Sequence, residues 1–264
     1  MIDYETIKVT RDDKNLNVCI LTLNRPDSMN ALNTQMALDL IKALGELKQS
    51  DDVRVLIITG EGNRSFCVGA DLKERDNMTN QQWKEQHDIF EEAYKEIRDF
   101  PYPVISAING FALGGGLEMA LSCDLRYASD TASLGLPEVS IGMIPGVGGT
   151  QLLPRLIQVG VAKELLFSGQ RFSAKDLEKV GLLNEVFMSE ELIEFTVVKA
   201  REIAGNAPLS LKAIKKAVNN GIQTDLDSGL EIELEEYYKC ADSEDRLEGV
   251  KSFNEKRKPT WQNK

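Results

Sequence analysis

Two glutamates stand out because each is a charged group among apolar neighbours. Glu118 sits in Leu117-Glu118-Met119-Ala120-Leu121, and Glu138 follows Pro137 in Leu134-Gly135-Leu136-Pro137-Glu138-Val139. An unpaired buried carboxylate is costly, so such residues concentrate where protons are moved. Glu118 also has a plain structural alternative, a first-turn glutamate offsetting its helix dipole. Three glycine-dense places accompany the pair: Gly69-Ala70-Asp71, Gly114-Gly115-Gly116 and Gly146-Val147-Gly148-Gly149. Backbone without side chains lets a ligand approach peptide N–H groups directly. The triple glycine follows a strand expected over Val104–Ile108 and opens the helix that carries Glu118, at a positive helix terminus. Close packing of that turn against a neighbouring strand is the alternative. None of the three places matches G-x-G-x-x-G or a phosphate-binding P-loop, and no Gly-Lys-Ser/Thr occurs in the chain. These residues point to carboxylate acid–base chemistry on a carbonyl compound.

The other reactive residue types narrow the field. The only histidine, His87, lies in the polar run Gln81-Gln82-Trp83-Lys84-Glu85-Gln86-His87 and is expected on a solvated helix face. Ser-His-Asp, Cys-His and multi-histidine metal chemistry are left with one poorly placed candidate. Cys19, Cys67, Cys123 and Cys240 show no C-x-x-C spacing and fall in or beside apolar stretches. Buried or idle thiols in a reducing, cytoplasmic compartment fit better than a disulfide scaffold or a metal site. The net charge of −11 over 264 residues opposes binding to nucleic acid or an anionic membrane. The opening Met1-Ile2-Asp3-Tyr4-Glu5 is acidic, without an apolar signal core, and no apolar run is long enough to span a bilayer.

The elements that must hold these residues follow from hydrophobic period and turn signals. Thr6–Val9 and Val18–Leu23 read as paired strands around the polar turn Arg11–Asn17. Met36, Leu40, Ala43 and Leu47 form one helical stripe, capped at Asn33 or Thr34. The run Val55-Leu56-Ile57-Ile58 reads as a strand buried on both faces. A mostly polar helix is expected near Gln82–Asp99, then the strand Val104–Ile108, a short helix Gly114–Ser122 and a strand Leu125–Ala128. From Gly148 onward the signal is helical. Ser173 caps Ala174–Val180, Pro208 opens a helix to about Asn219, and further helices cover Leu226–Cys240 and Ser243–Lys256. One α/β core with a C-terminal helical extension is the expected organisation.

Several stretches together resemble the crotonase (enoyl-CoA hydratase/isomerase) superfamily. They are Ser65-Phe66-Cys67-Val68-Gly69-Ala70-Asp71-Leu72-Lys73-Glu74, the run from Ala107-Ile108-Asn109-Gly110 to Glu118, and Leu136-Pro137-Glu138 through Ile144-Pro145-Gly146-Val147-Gly148-Gly149-Thr150. Leu23-Asn24-Arg25-Pro26 near the start and Asp245-Arg246-Leu247-Glu248-Gly249 near the end extend the likeness over almost the whole chain, in the family's order. The resemblance implies an α/β spiral of repeated β-β-α units over residues 1–200. Residues 201–264 then form a C-terminal helical region that builds homotrimers, often paired into hexamers.

The same resemblance implies reversible addition of water to a 2-enoyl-CoA thioester, with no cofactor beyond the coenzyme A of the substrate and no metal. It assigns the oxyanion hole to the N–H groups of Ala70 and Gly115. Glu118 would activate the water, Glu138 would exchange the proton at the α-carbon, and Gly146 would line the water site. The substrate-binding stretch would take in Ala70, Asp71, Leu72 and Gly114. Arg64 and Lys73 match basic positions near the coenzyme A phosphates, and Phe253 and Lys256 match a closing helix, from a neighbouring subunit in some relatives. Asp27 departs from the basic residue that often follows Asn-Arg-Pro, which turns attention to Arg25 or Arg64. The spelling around Gly69–Arg75 is also similar to the methylglutaconyl-CoA hydratase branch, which needs a cation for a distal carboxylate. One member of that branch binds RNA through a lysine-rich helix. Here Gln35–Gln49 carries only Lys42 and Lys48 against Asp39 and Glu46, which opposes that role.

Overall fold

The structure is a computed structural model that describes residues 4–264, so Met1-Ile2-Asp3 of the acidic opening lie outside the described residues. The chain begins with a hairpin of β1 (Ile7–Asp12) and β2 (Asn15–Leu23), which pairs Ile7 with Leu23. Its turn is only Asp13-Lys14, tighter than the polar composition of Arg11–Asn17 implied, because polar side chains also serve on the solvated face of a strand. Helix α1 (Thr34–Lys48) buries Met36, Leu40, Ala43 and Leu47. Asn33 is its cap, the side-chain oxygen accepting from the Met36 N–H at 3.0 Å.

A repeat then begins. Strand β3 (Val55–Gly60) enters one sheet and β4 (Ser65–Cys67) a second, before the short α2 (Leu72–Arg75) and the long α3 (Asn80–Arg98). Strand β5 (Val104–Ile108) and β6 (Phe111–Leu113) repeat the step and lead into α4 (Gly115–Leu121). Strand β7 (Leu125–Ser129) and β8 (Ser133–Gly135) repeat it again. Three parallel strands thus stack in each sheet, β3-β5-β7 in the larger and β4-β6-β8 in the smaller. This is the expected spiral of β-β-α units. Buried Asn109 locks its turns: the side-chain amide donates to the carbonyls of Gly60 and Gly62, and its oxygen accepts from the Gly60 N–H.

The second half contributes α5 (Gly149–Leu156), α6 (Val159–Ser168), β9 (Arg171–Ser173), α7 (Ala174–Lys179) and β10 (Glu185–Phe187). Strand β10 completes a six-stranded sheet of order β1-β2-β3-β5-β7-β10, and β9 closes the four-stranded one as an antiparallel edge. Ser173 caps α7, accepting from the Asp176 N–H. Helix α8 (Leu192–Ala204) lies on the outer face of the large sheet. It explains why β3 is buried at every position: Val55 and Ile57 pack with Val197 and Ala200 of α8, while Leu56 and Ile58 face the central core. Helix α8 spans residue 200, and α9 (Pro208–Gly221), α10 (Leu226–Ala241) and α11 (Glu244–Asn254) follow it. No helix of the described residues is long and apolar enough to cross a membrane.

Candidate active site

The triple glycine does not follow β5 directly; β6 intervenes and delivers it to the inner end of the small sheet. Gly114 turns the chain with φ 53° and ψ −128°, a conformation that disfavours a side chain. Both alternatives for this glycine run are realised, at different residues. A Cβ on Gly116 would lie 1.9 Å from the Cys67 carbonyl oxygen, so Gly116 serves close packing of α4 onto β4. Gly114 and Gly115 instead present backbone to a cavity.

Ala70 lies beside them. A Cβ on Gly115 would be 3.8 Å from the Ala70 nitrogen, so the two segments abut. The Leu32 N–H donates to the Gly69 carbonyl and the Asp71 N–H to the Leu32 carbonyl, both at 2.8 Å, which leaves the Ala70 N–H outside this ladder. Gly115 opens α4, so its N–H has no partner within the helix. Two uncommitted donors therefore stand side by side at a helix amino end. The peptide between Gly114 and Gly115 is polarised further by the Glu118 N–H, which donates to the Gly114 carbonyl at 3.0 Å.

The glutamates converge on the same cavity. Glu118 is 2 % exposed, and its Oε1 accepts from the Val147 N–H at 3.0 Å and the Gly149 N–H at 2.7 Å. Burial raises its pKa above the ordinary carboxylate value, opposed by those amide donors and by the charge of Arg98. Glu138 lies in a 3-10 turn over Pro137–Ile141, and its Oε1 fills the space that a side chain on Gly114 would need, 2.7 Å from that Cβ. Its Oε2 is buried without a hydrogen-bond partner. Burial, together with the neighbouring charge of Glu118, raises its pKa to about 7. At neutral pH Glu138 is thus poised to give or take a proton, while two amides favour the anionic form of Glu118.

The cavity, about 520 Å³, is bounded by Leu32, Val68, Leu72, Trp83, Phe90 and Tyr94 together with the exposed Ile141, Met143 and Ile144. Of the positions expected from sequence, Ala70, Leu72, Gly114, Gly115, Glu118, Glu138 and Gly146 line it. Asp71 and Arg25 do not: they form an ion pair at 2.9 Å, Arg25 also donates to the Ala31 carbonyl, and Asp71 caps α2. Their charges are spent on holding the Ala70 segment in place. Arg64 and Lys73 are exposed outside the lining, with Lys73 next to cavity-lining Leu72. Phe253, 83 % exposed, and Lys256 lie at the end of α11, also outside this chain's cavity lining.

His87 departs from the expected solvated position. It is half-buried at the cavity wall, with Cε1 where a Cβ on Gly146 would come within 2.8 Å. The polar run around it made the helix look solvated on all sides, but α3 buries Gln86, Phe90, Ala93, Tyr94 and Ile97 along one stripe. Tyr94 and Arg75 were likewise not singled out. The Tyr94 hydroxyl donates to the Gly115 carbonyl at 2.7 Å, a link between residues 21 apart in sequence with no local signal.

The raised pKa of Glu138 has a consequence for stability. The folded chain holds this proton more tightly than the unfolded chain, whose carboxyl titrates near 4.5. The associated stability is fully present below that value and is lost as pH rises through about 7. Glu138→Gln, neutral at every pH, is expected to gain thermal stability over the native chain at pH 8 and not at pH 5. Melting curves at both pH values check this; a difference independent of pH counts against the buried, proton-hungry carboxyl.

The comparisons agree with this geometry. The family pattern for enoyl-CoA hydratase/isomerase matches residues 13–264. The chain is 39% identical to the short-chain-enoyl-CoA hydratase of Clostridium acetobutylicum over 93% of this chain and 94% of that one. It is 38% identical to the crotonyl-CoA hydratase of Syntrophomonas wolfei over 98% of each. The crystal structure of an enoyl-CoA hydratase from Bacillus anthracis superposes with a TM-score of 0.96 at 41% identity, covering 98% of this chain and all (100%) of that one. With its two-sheet spiral and almost its full length matched, the chain belongs to the enoyl-CoA hydratase/isomerase family.

Proposed function

We propose that this protein is an enoyl-CoA hydratase, adding water reversibly across the double bond of a 2-enoyl thioester. The observation that carries the reading is the meeting of two desolvated glutamates with two uncommitted N–H groups at one apolar cavity. The thioester oxygen accepts from Ala70 and Gly115, and each such donor is worth about 3 kcal/mol as enolate charge develops. Glu118 takes a proton from water while the water oxygen bonds to the β-carbon. The π electrons move to the α-carbon and carbonyl, and Glu138 delivers its proton to the α-carbon. In the reverse direction the same two groups exchange roles.

Every proton and electron in this scheme is handled by the chain and the substrate, so the reaction needs no metal, flavin or nicotinamide. Crotonyl-CoA is therefore expected to be hydrated at an undiminished rate after exhaustive chelation, followed by the loss of its enoyl absorbance. A rate abolished by chelation and restored by a metal ion would overturn the scheme. Assembly as a homotrimer or hexamer is part of the proposal. Leu226, Leu230, Leu234 and Tyr237 form an exposed apolar row on α10, the kind of surface that association buries. Phe253 and Lys256 would then act at a neighbour's site. Buried Cys19, Cys67 and Cys123, whose thiols burial pushes up to about 11, 11 and 12, fit a reducing cytoplasm.

A further inference from the structure

The three glycines at the start of α4 have no side chains with which to hold their own backbone. Each is braced instead by a different neighbour. Glu138 Oε1 lies where a side chain on Gly114 would go, and the Cys67 carbonyl where one on Gly116 would. Gly115 sits between Tyr94 and Gly69: a Cβ built on it would lie 3.1 Å from the Tyr94 hydroxyl and 3.5 Å from the Gly69 Cα. The Tyr94 hydroxyl also donates to the Gly115 carbonyl at 2.7 Å. Among the described residues, no other side chain donates a hydrogen bond to this glycine run.

Tyr94 is firmly held. It comes from α3, on the stripe that also buries Phe90, Ala93 and Ile97, and its ring is fully buried. Burial, then the neighbouring Cys67, Glu118 and Glu138, raise its pKa well above the ordinary value. The hydroxyl therefore keeps its proton throughout the range in which Glu138 titrates. A phenol has one proton to donate, and this one is committed to Gly115 rather than to anything in the cavity. The bond fixes the peptide that follows Gly115, while Gly69 closes the opposite side. The N–H of that same residue is an oxyanion donor of the hydration scheme, and such a donor is effective when its direction is set in advance. A buried tyrosine needs some acceptor in any case. A carbonyl serving that need alone would leave the glycine run indifferent to loss of the hydroxyl.

We propose that Tyr94 is a positioning residue for the reaction, its hydroxyl holding Gly115 so that the N–H at the start of α4 is set before the thioester arrives. This assignment rests on the hydratase reading of the cavity, and two measurements that need no turnover separate it from that reading. Tyr94→Phe keeps the ring and removes only the bond. In the ligand-free protein, hydrogen exchange over Gly114–Leu121, followed by mass spectrometry, should quicken by roughly 3- to 10-fold, the worth of one hydrogen bond. The carbonyl stretch of bound butyryl-CoA, labelled with carbon-13 at the thioester carbon, should move up toward that of the free thioester. Hydration of crotonyl-CoA should lose about 10-fold in kcat with KM nearly unchanged, as expected when an interaction acts in the transition state. Native exchange or a native carbonyl frequency in the variant overturns the assignment, even if Tm has fallen. Slower turnover with native exchange does so too, because the hydroxyl would then act on the substrate itself, and an unchanged kcat likewise overturns it. If the native protein does not hydrate crotonyl-CoA, the hydratase reading fails, while exchange and carbonyl frequency still decide for Tyr94. Failure of butyryl-CoA to bind overturns both.

Discussion

Replacing Glu138 with glutamine is expected to lower kcat for enoyl thioester hydration by about 10²- to 10⁴-fold, the usual scale for one acid–base group. The change keeps the size of the side chain, so the 3-10 turn at Pro137–Ile141 and the contact with Gly114 should survive. What is lost is the titrating proton of Glu138, whose pKa is about 7, and with it the exchange at the α-carbon that the proposed scheme assigns to it. KM should move far less, because the substitution keeps the side chain's size and leaves the rest of the cavity lining unchanged. Solvent deuterium should enter the α-carbon of a saturated thioester more slowly in Glu138→Gln than in Glu118→Gln. In the double variant the two losses should not multiply, since both groups serve one transition state. Steady-state kinetics and mass spectrometry of the exchanged thioester check these outcomes. Near-native turnover in Glu138→Gln would falsify its assignment as the α-carbon acid–base group, and the reverse ordering of exchange would swap the two roles.

A second large effect is expected at a residue that touches no substrate. Gly116→Ala places a methyl 1.9 Å from the Cys67 carbonyl, a backbone atom of β4 that cannot swing aside. Overpacking of this kind costs about 3 kcal/mol, which in a chain of this size lowers Tm by roughly 6–12 °C. To relieve the clash, α4 must move away from β4 and carry the Gly115 N–H and Glu118 with it. A displacement of about 1 Å in such a constellation costs on the order of 10²-fold in rate. Gly160→Ala is the matched control, because a Cβ on Gly160 meets nothing within 4 Å. Thermal unfolding and hydration rates of both variants test the argument. A Gly116→Ala protein with native Tm and kcat shows that the packing of α4 on β4 does not fix the Gly115 N–H and Glu118.

The long elements were legible because their periods are strong. The stripe from Met36 to Leu47, the continuous run at Val55–Ile58 and the caps at Asn33 and Ser173 each carry a local physical cause. The three-residue strands β4, β6, β8, β9 and β10 were not, since three residues are too few for any period to emerge. That gap explains why the triple glycine was attached to β5. It also explains why the smaller sheet, whose β4 and β6 lead into Ala70 and Gly115, was invisible without the family resemblance. The glutamates were found because charge in an apolar stretch is conspicuous. The cavity-facing side of α3 was hidden for the opposite reason: Trp83, His87 and Tyr94 are separated by polar residues on the solvated face. The ion pair of Arg25 with Asp71 joins residues 46 apart, and nothing local marks either one as taken.

The amides of Val147 and Gly149 both point at a single oxygen of Glu118. A proton cannot settle on Oε1 without expelling one of those donors and leaving a buried N–H unsatisfied. Neither of these two bonds uses Oε2, and Glu118 lines the cavity. The two oxygens of one carboxylate are therefore inequivalent. On the proposed scheme, proton exchange at Glu118 would use Oε2. The loop from Gly146 to Gly149 stays anchored to Oε1 whether the group is charged or neutral. The side chain can thus gain or lose a proton without loosening the backbone that positions it.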